Sequence, residues 1–242
     1  MHILGIITAR GKSKGLKNKH SLILDRKPVI WHTIAHTRAS RLITRTVCSS
    51  DSPSLLKLAQ RYGVEGIRRP EKYARDSSPI EEPLRHVVTH LKNKEGYMPD
   101  IVALLYGNVP YRDEGLIDGA LSQLCAQKAD AIVSVSATER FHPERLVTCS
   151  REDTFKLYTR TISSFRRQDL ARVYFIDSGI IAFRTGLLFG PDPLIISHYF
   201  RGHRVRAYIS EGIGAWDIDN LFDFEIAKLI MEKKNSRKIM QL

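Results

Sequence analysis

"HILGIITARGKSKGLKNKH", residues 2–20, joins an apolar run to a basic, glycine-containing turn. Its first seven residues form an apolar run without polar alternation, the pattern of a strand buried on both faces. The run empties into a turn that gathers Arg10, Lys12, Lys14, Lys17 and Lys19 around Gly11 and Gly15. The helical stretch "PVIWHTIAHTRAS" (28–40) and a second apolar run, "ITRTVCSS" (43–50), follow. Strand, helix, strand is the opening of a parallel sheet flanked by helices. In such a sheet the loop after the first strand lies at the carboxyl edge, where ligands bind and glycine lets the backbone approach a phosphate closely. Five cations within ten residues suit a triphosphate.

The letters "GKS" at Gly11, Lys12 and Ser13 resemble the end of a Walker loop, but that loop requires glycine at position 6, which is Ile6. A one-residue slip destroys its nest of backbone amides, which leaves a phosphate grip of another kind or a solvated basic turn; the position directly after the first strand favours the grip.

Beyond the second apolar run, "SPSLLKLAQRYG" (52–63) reads as a helix closed by Gly63. Asp76 leads into "SSPIEEPLRHVVTHLKNKEG" (77–96), which reads as a helix with a capping box from Ser78 to Glu81, Pro79 at its first position and Gly96 as its stop. "DIVALL" (100–105) is a third strand, "EGLIDGALSQLCAQ" (114–127) a helix and "AIVSV" (131–135) a fourth strand. Residues 138–174 break into polar, Arg-rich sequence, an excursion from the sheet. "GIIAFR" (179–184) and "RVRAYI" (204–209) restore order, and "LFDFEIAKLIMEKK" (221–234) is an amphipathic helix begun by Asp219 or Asn220. The class is α/β, with a mostly parallel sheet.

The chain has 242 residues, 43% of them hydrophobic, enough for a full core. Thirty-eight Lys and Arg against 26 Asp and Glu leave a formal charge of +12, which implies an anionic partner: a nucleotide, a nucleic acid or an acidic sugar. Cys48, Cys125 and Cys149 have no spacing suited to zinc or to a disulfide framework. His32 with His36, and His86 with His90, stand four apart on helices without the Glu of a zinc motif, and read as ordinary helix residues. No leader and no membrane-length apolar segment is visible, so a soluble, cytoplasmic protein is expected.

The basic turn resembles the amino-terminal signature of the acylneuraminate cytidylyltransferases, Ala-Arg-x-x-Ser-Lys-Gly followed by a Lys-Asn pair. The match puts Ala9, Arg10, Gly11, Ser13, Lys14, Gly15 and Lys19 on the family's nucleotide contacts, with Arg10, Lys14 and Lys19 as the catalytic cations. His20 stands where the family usually has Asn. "RRPEKYARDSS" (68–78), with Pro79 after it, is similar to the segment that holds cytosine and ribose, which assigns Arg69, Asp76 and Ser77. In "ALLYGNVPYR" (103–112) Pro110 and Arg112 align, while Tyr106, Gly107 and Asn108 replace Gln-Pro-Thr; Asn108 and Arg112 are the implied substrate contacts. "FRRQDLARVYFIDSGIIAF" (165–183) resembles the region around the acidic sugar, with Arg166, Arg167 and Gln168 as binders and Ser178 in place of Asn.

"WDIDNLFDFEIAK" (216–228) resembles the family's Asp-Ile-Asp ending. Asp217 and Asp219 are two apart, so an extended backbone turns both carboxylates the same way, and Mg²⁺ prefers one or two carboxylates plus water and phosphate oxygens. The resemblance implies a Rossmann-like nucleotidyltransferase three-layer sandwich, a single domain over 1–242 whose excursion at 138–174 serves dimerisation and the sugar site. It implies a divergent cytidylyltransferase that transfers CMP from CTP to sialic acid or a related nonulosonic acid, releases pyrophosphate, uses Mg²⁺ and works as a homodimer. The alternatives are Kdo or another acidic sugar, a basic nucleic-acid-binding protein, or a homologue without activity. No recognised nucleic-acid motif supports the second, and no membrane partner is expected.

Overall fold

The computed structural model describes residues 1–12, 15–138, 141–151, 153–160, 162–189 and 204–239. Strand β1 (Ile3–Thr8) is buried along its whole length, as its unbroken apolar run requires. Beyond the basic turn, β2 (Ile23–Leu24) and β3 (Lys27–Pro28) form a ribbon closed by Asp25 and Arg26, both at positive φ (47° and 64°), the I′ geometry of a two-residue hairpin. No Asn-Gly pair signals this ribbon in the sequence. Helix α1 (Val29–Ala39), strand β4 (Arg45–Ser50) and helix α2 (Pro53–Arg61) follow, the last capped by Ser52 and stopped before Gly63 at φ 72°.

Strand β5 (Glu65–Arg68) is too short for its periodicity to show. Helix α3 (Glu81–Glu95) ends at Gly96 as expected, but the capping box at its start is absent: Ile80 is the N-cap and makes no side-chain bond. Ser78 instead donates its hydroxyl to the carbonyl of Lys72, at 2.7 Å, folding the preceding loop on itself. Next come β6 (Ile101–Tyr106), β7 (Tyr111–Arg112), α4 (Leu116–Ala126) and β8 (Ala131–Thr138). The excursion carries a small hairpin, β9 (Val147–Cys149) with β10 (Phe155–Leu157). Strands β11 (Val173–Arg184), β12 (Val205–Ser210) and β13 (Ala215–Trp216) lead to helix α5 (Leu221–Ile239). A reciprocal capping box does occur here: Asn220 Oδ1 accepts from the Asp223 amide at 3.1 Å, and Asp223 Oδ2 accepts from the amides of Asn220 and Asp219.

The main sheet runs β12-β8-β11-β6-β1-β4-β5. All neighbours are parallel except β11, which is antiparallel to both β6 and β8. The chain steps outward from β1 through β4 to β5, then returns to β6 on the other side of β1. That reversal leaves a crevice at the carboxyl ends of β1 and β6, the place where such sheets bind ligands.

Alternate residues of each strand face opposite layers. Leu4, Ile6, Val102 and Leu104 pack under α3 through Leu84, Val87, Val88 and Leu91. On the other face, Ile3, Ala103 and Leu105 meet α4, while Ile7 and Cys48 meet α1 and α2. The result is three layers, with α5 packed on the β2–β3 ribbon through Phe224, Ala227 and Met231. No helix among the described residues is long and apolar enough to cross a membrane.

Strands β8 and β11 continue their pairing beyond the reach of β6, Val173–Ile176 against Val135–Thr138, and the excursion hangs from this arm. It has internal order: Glu144 accepts from the amide and hydroxyl of Ser163, and His142 bonds the carbonyl of Ala171 through Nε2 while its Nδ1 accepts from the Glu144 amide. Its apolar side chains nonetheless face solvent, Phe165 at 92% exposure and Phe155 at 63%.

Candidate active site

A cleft of about 560 Å³ opens at the carboxyl ends of β1 and β6, with Thr8 and Tyr106 at its base. Arg10, Gly15 and Lys19 of the basic turn, Arg69 after β5, Asn108 after β6, Ser178 in β11, and Asp217 and Asp219 before α5 all line it. The basic turn, Arg69 and Asn108 follow the parallel strands β1, β5 and β6 at one edge of the sheet; antiparallel β11 enters at that edge with Ser178, and the β13–β7 ribbon brings Asp217 and Asp219 to it.

Two of the cations face carboxylates. Arg10 Nη1 lies 2.8 Å from Asp76 Oδ1, and both side chains are nearly half exposed, so a polyanion can displace this surface pair. Lys19 Nζ lies 2.7 Å from Asp219 Oδ1, joining the basic turn to the acidic segment. Arg69 is held in the wall by Ser49, whose hydroxyl and carbonyl accept at 3.2 and 2.9 Å. Burial lowers its pKa to about 10, which leaves it charged at neutral pH.

The turn and the acidic segment touch backbone to backbone. Leu16 donates its amide to the carbonyl of Asp219 at 3.0 Å. A Cβ on Gly15 would lie 2.1 Å from that oxygen, so position 15 needs glycine for close approach to protein. Gly11 has a similar task, its amide bonded to Asp51 Oδ1 and its open side against Ser52. Asn108 fastens the acidic segment from the other side: its Nδ2 donates to the Ile218 carbonyl at 2.9 Å and to Asp219 Oδ1 at 3.3 Å, and its carbonyl accepts from Ile218.

Asp217 has its carboxyl pKa raised, first by burial and then by the neighbouring Asp219. Two carboxylates crowded in this way suit a divalent cation, and Mg²⁺ asks no more than one or two from the protein. Among the described residues no cluster of three or more His, Cys, Asp or Glu offers a cage for another metal.

His20 lies beneath the cleft in the short 3₁₀ turn Lys19–Ser21. Burial, with Lys19 and Arg69 nearby, pushes its pKa down to about 3, so the ring is neutral. Its neighbour is Gly107: a Cβ there would come within 3.1 Å of His20 Cδ2. The two departures from the family pattern are therefore physically linked, the larger ring at 20 occupying space left by glycine at 107.

Other expected site residues stand elsewhere. Ala9 is buried, its amide bonded to Ser49, and Ser77 is exposed outside the wall while Ser78 lines it. Arg112 is a correction to the expected substrate contact: it is fully buried behind the cleft and donates to the carbonyls of Gly179 at 2.7 Å and Val109 at 2.8 Å, and to Thr33 Oγ1. Such a residue organises the wall and does not reach the ligand space. Arg167 and Gln168 line a separate hollow with His142, Tyr174 and Glu211, and Arg166 adjoins them on the excursion; within one chain none of the three meets the cleft. Ser13 and Lys14 lie outside the described residues.

Tyr73, Arg75, Ile80 and Pro83 also line the cleft and escape a sequence reading. The signal available for the first two was position, since they fall between Arg69 and Asp76.

The cleft thus combines cations with a pair of carboxylates, the charges that a polyphosphate and a divalent counter-ion would require. The model of the family described as cytidylyltransferase matches residues 4–195. The chain belongs to the cytidylyltransferase family. This cytidylyltransferase-family chain is 28% identical over 239 residues to the N-acylneuraminate cytidylyltransferase of Escherichia coli O18:K1:H7, covering 98% of itself and 54% of that relative. It therefore spans about half the length of that protein. It is 25% identical to the post-translational flagellin modification protein B of Campylobacter coli, with 96% of each chain covered. The pseudaminic acid cytidylyltransferase of Campylobacter jejuni serotype O:2 is 23% identical, with 95% of this chain and 96% of the relative covered. Among solved structures, CMP:2-keto-3-deoxy-manno-octonic acid synthetase complexed with CTP shares the fold at TM-score 0.70 and 19% identity, over 97% of this chain and all of that one.

Proposed function

We propose that the protein transfers CMP from CTP to an acidic sugar of the sialic acid or related nonulosonic acid class, releasing pyrophosphate. The observation that carries this reading is the cleft, where Arg10, Lys19 and Arg69 face Asp217 and Asp219 at the switch point of the sheet. The reacting sugar hydroxyl attacks the α-phosphate of CTP and the bond to the β-phosphate breaks. Arg10 and Lys19 exchange their present carboxylate partners for phosphate oxygens and hold the departing pyrophosphate. Arg69, fixed by Ser49, keeps a charge in the wall without needing to reorganise. Asp217 and Asp219 would hold Mg²⁺, which offsets charge on the phosphates when bound.

The names of the relatives support an acidic acceptor, and use of CTP fits a cytoplasmic enzyme. We further propose that residues 138–174 form a dimerisation arm on one nucleotidyltransferase domain. The exposed Phe155, Tyr158 and Phe165 give it an apolar surface, and pairing would bring Arg166, Arg167 and Gln168 towards the cleft of the second copy, as the family resemblance implies.

Pyrophosphate release from CTP and Mg²⁺, measured with a panel of nine-carbon and eight-carbon acidic sugars, tests the reading. Release with at least one nine-carbon acid is expected; release with the eight-carbon acids alone, or silence across the panel by a protein that binds CTP, overturns it.

A further inference from the structure

Ser178 lines the cleft with φ at +62°, in the left-handed region that a serine keeps only when its surroundings hold it there. It sits in the irregularity of β11, where the register on β8 shifts between Ile176 and Ile181. The residues on either side are gripped. Asp177 is 3% exposed, and its carboxylate accepts from the hydroxyls of Ser134 at 2.5 Å, Ser136 at 2.7 Å and Ser210 at 3.4 Å, and from the Gly179 amide at 3.0 Å. The Gly179 carbonyl accepts from Arg112 Nε at 2.7 Å. A Cβ at 179 would lie 2.7 Å from Ser134 Oγ, and one on Gly214 only 2.0 Å from Ser136 Oγ, so two glycines make room for the cluster.

The arrangement places a buried carboxylate beside a fully buried guanidinium whose charge Asp177 offsets. Apolar groups of the same shape would serve stability as well or better. A satisfied polar cluster adds one defined path for the backbone. Ser134 and Ser136 alternate on β8 and turn their hydroxyls to the same side, and Ser210 closes the ring from the end of β12.

We propose that Asp177 is a positioning residue: gripped by the three serines, it holds the 177–179 bulge so that Ser178 presents its hydroxyl to the acidic sugar in the cleft. This inference rests on the acidic-sugar reading and deepens it by naming a determinant on the acceptor side. Arg112 belongs to the same device, gripping Gly179 from the other end.

The test uses Asp177→Asn and, should that variant not fold, the double variant Ser136→Ala/Ser210→Ala, which keeps the carboxylate. In a crystal structure of the variant Ser178 leaves the left-handed region. The KM for the sugar rises about tenfold or more, while the KM for CTP stays within about threefold. Adding Ser178→Ala to Asp177→Asn costs nothing further, because both act through one hydroxyl. An unchanged sugar KM, a parallel rise of both KM values, or a Ser178 that keeps its φ overturns the proposal. If the wild type turns over no acidic sugar, the reaction assigned above falls, and the Ser178 backbone in the variant still decides whether Asp177 holds it.

Discussion

Gly15→Ala tests the joint between the basic turn and the acidic segment. The added methyl would lie 2.1 Å from the Asp219 carbonyl oxygen, against the 3.0 Å below which real Cβ atoms essentially never go. The two segments must therefore part by about 0.9 Å, the scale at which misplacement of reacting groups costs roughly 10²-fold in rate. The same movement stretches the bond from the Leu16 amide to Asp219, now 3.0 Å, and shifts Lys19 relative to its partner. Loss of one such bond near the surface destabilises by about 1 kcal/mol. For a chain of this size that lowers Tm by roughly 2–4 °C. The assay is kcat for pyrophosphate release at saturating CTP and sugar, beside a thermal melt. A kcat within about threefold of wild type would show that the joint does not position the cations, and the reasoning fails. A collapse of the melt by more than about 10 °C would refute the assignment of the effect to a local joint.

Asp219→Ala is expected to abolish turnover, a loss of about 10²-fold or more, with Tm almost unmoved because its side chain is 69% exposed; retained activity removes the metal assignment. His20→Asn should flatten the acid limb of stability. The folded ring resists protonation down to about pH 3, so the unfolded chain binds the extra proton below the ordinary pKa of 6.5 and wild-type stability falls as pH drops through that window, by about 2 kcal/mol at pH 5 from this residue. Melts at pH 7 and pH 5 check it, and equal drops for both proteins contradict it. Arg112→Lys should destabilise by about 2–4 kcal/mol in urea unfolding, since an ammonium cannot serve Gly179, Val109 and Thr33 together. Phe155→Asp with Phe165→Asp should convert a dimer into monomers by sedimentation, and a dimer that survives would place the interface elsewhere.

Much of the frame is written locally. The apolar run of β1, the one-faced pattern of Leu116, Ile117, Ala120, Leu121 and Leu124, and the stop at Gly96 are near-neighbour signals, and the elements they announce are present. The four-residue β5 and the two-residue ribbons are too short to carry a period, and Ser78 lost its capping role to a loop carbonyl six residues back. The types of residue in the cleft were also readable, because a basic glycine turn after the first strand and an Asp-x-Asp before the last helix are compact patterns.

What those residues touch was decided by the tertiary structure. Lys19 and Asp219 are 200 positions apart, and no local pattern tells that they pair or that Gly15 must be bare where the two segments meet. The family resemblance implies a substrate contact at Arg112, which in space is a buried strut. Asp177 carries no motif at all; its meaning arises when Ser134, Ser136 and Ser210 from two other strands close around it. The sequence determined the longer strands, the helices and the chemical kinds gathered at the sheet's edge, because periodicity and turn chemistry act over a few residues. The fold decided which of those groups face the cleft and which hold others in place, because burial and charge pairing depend on chain segments that meet only in three dimensions.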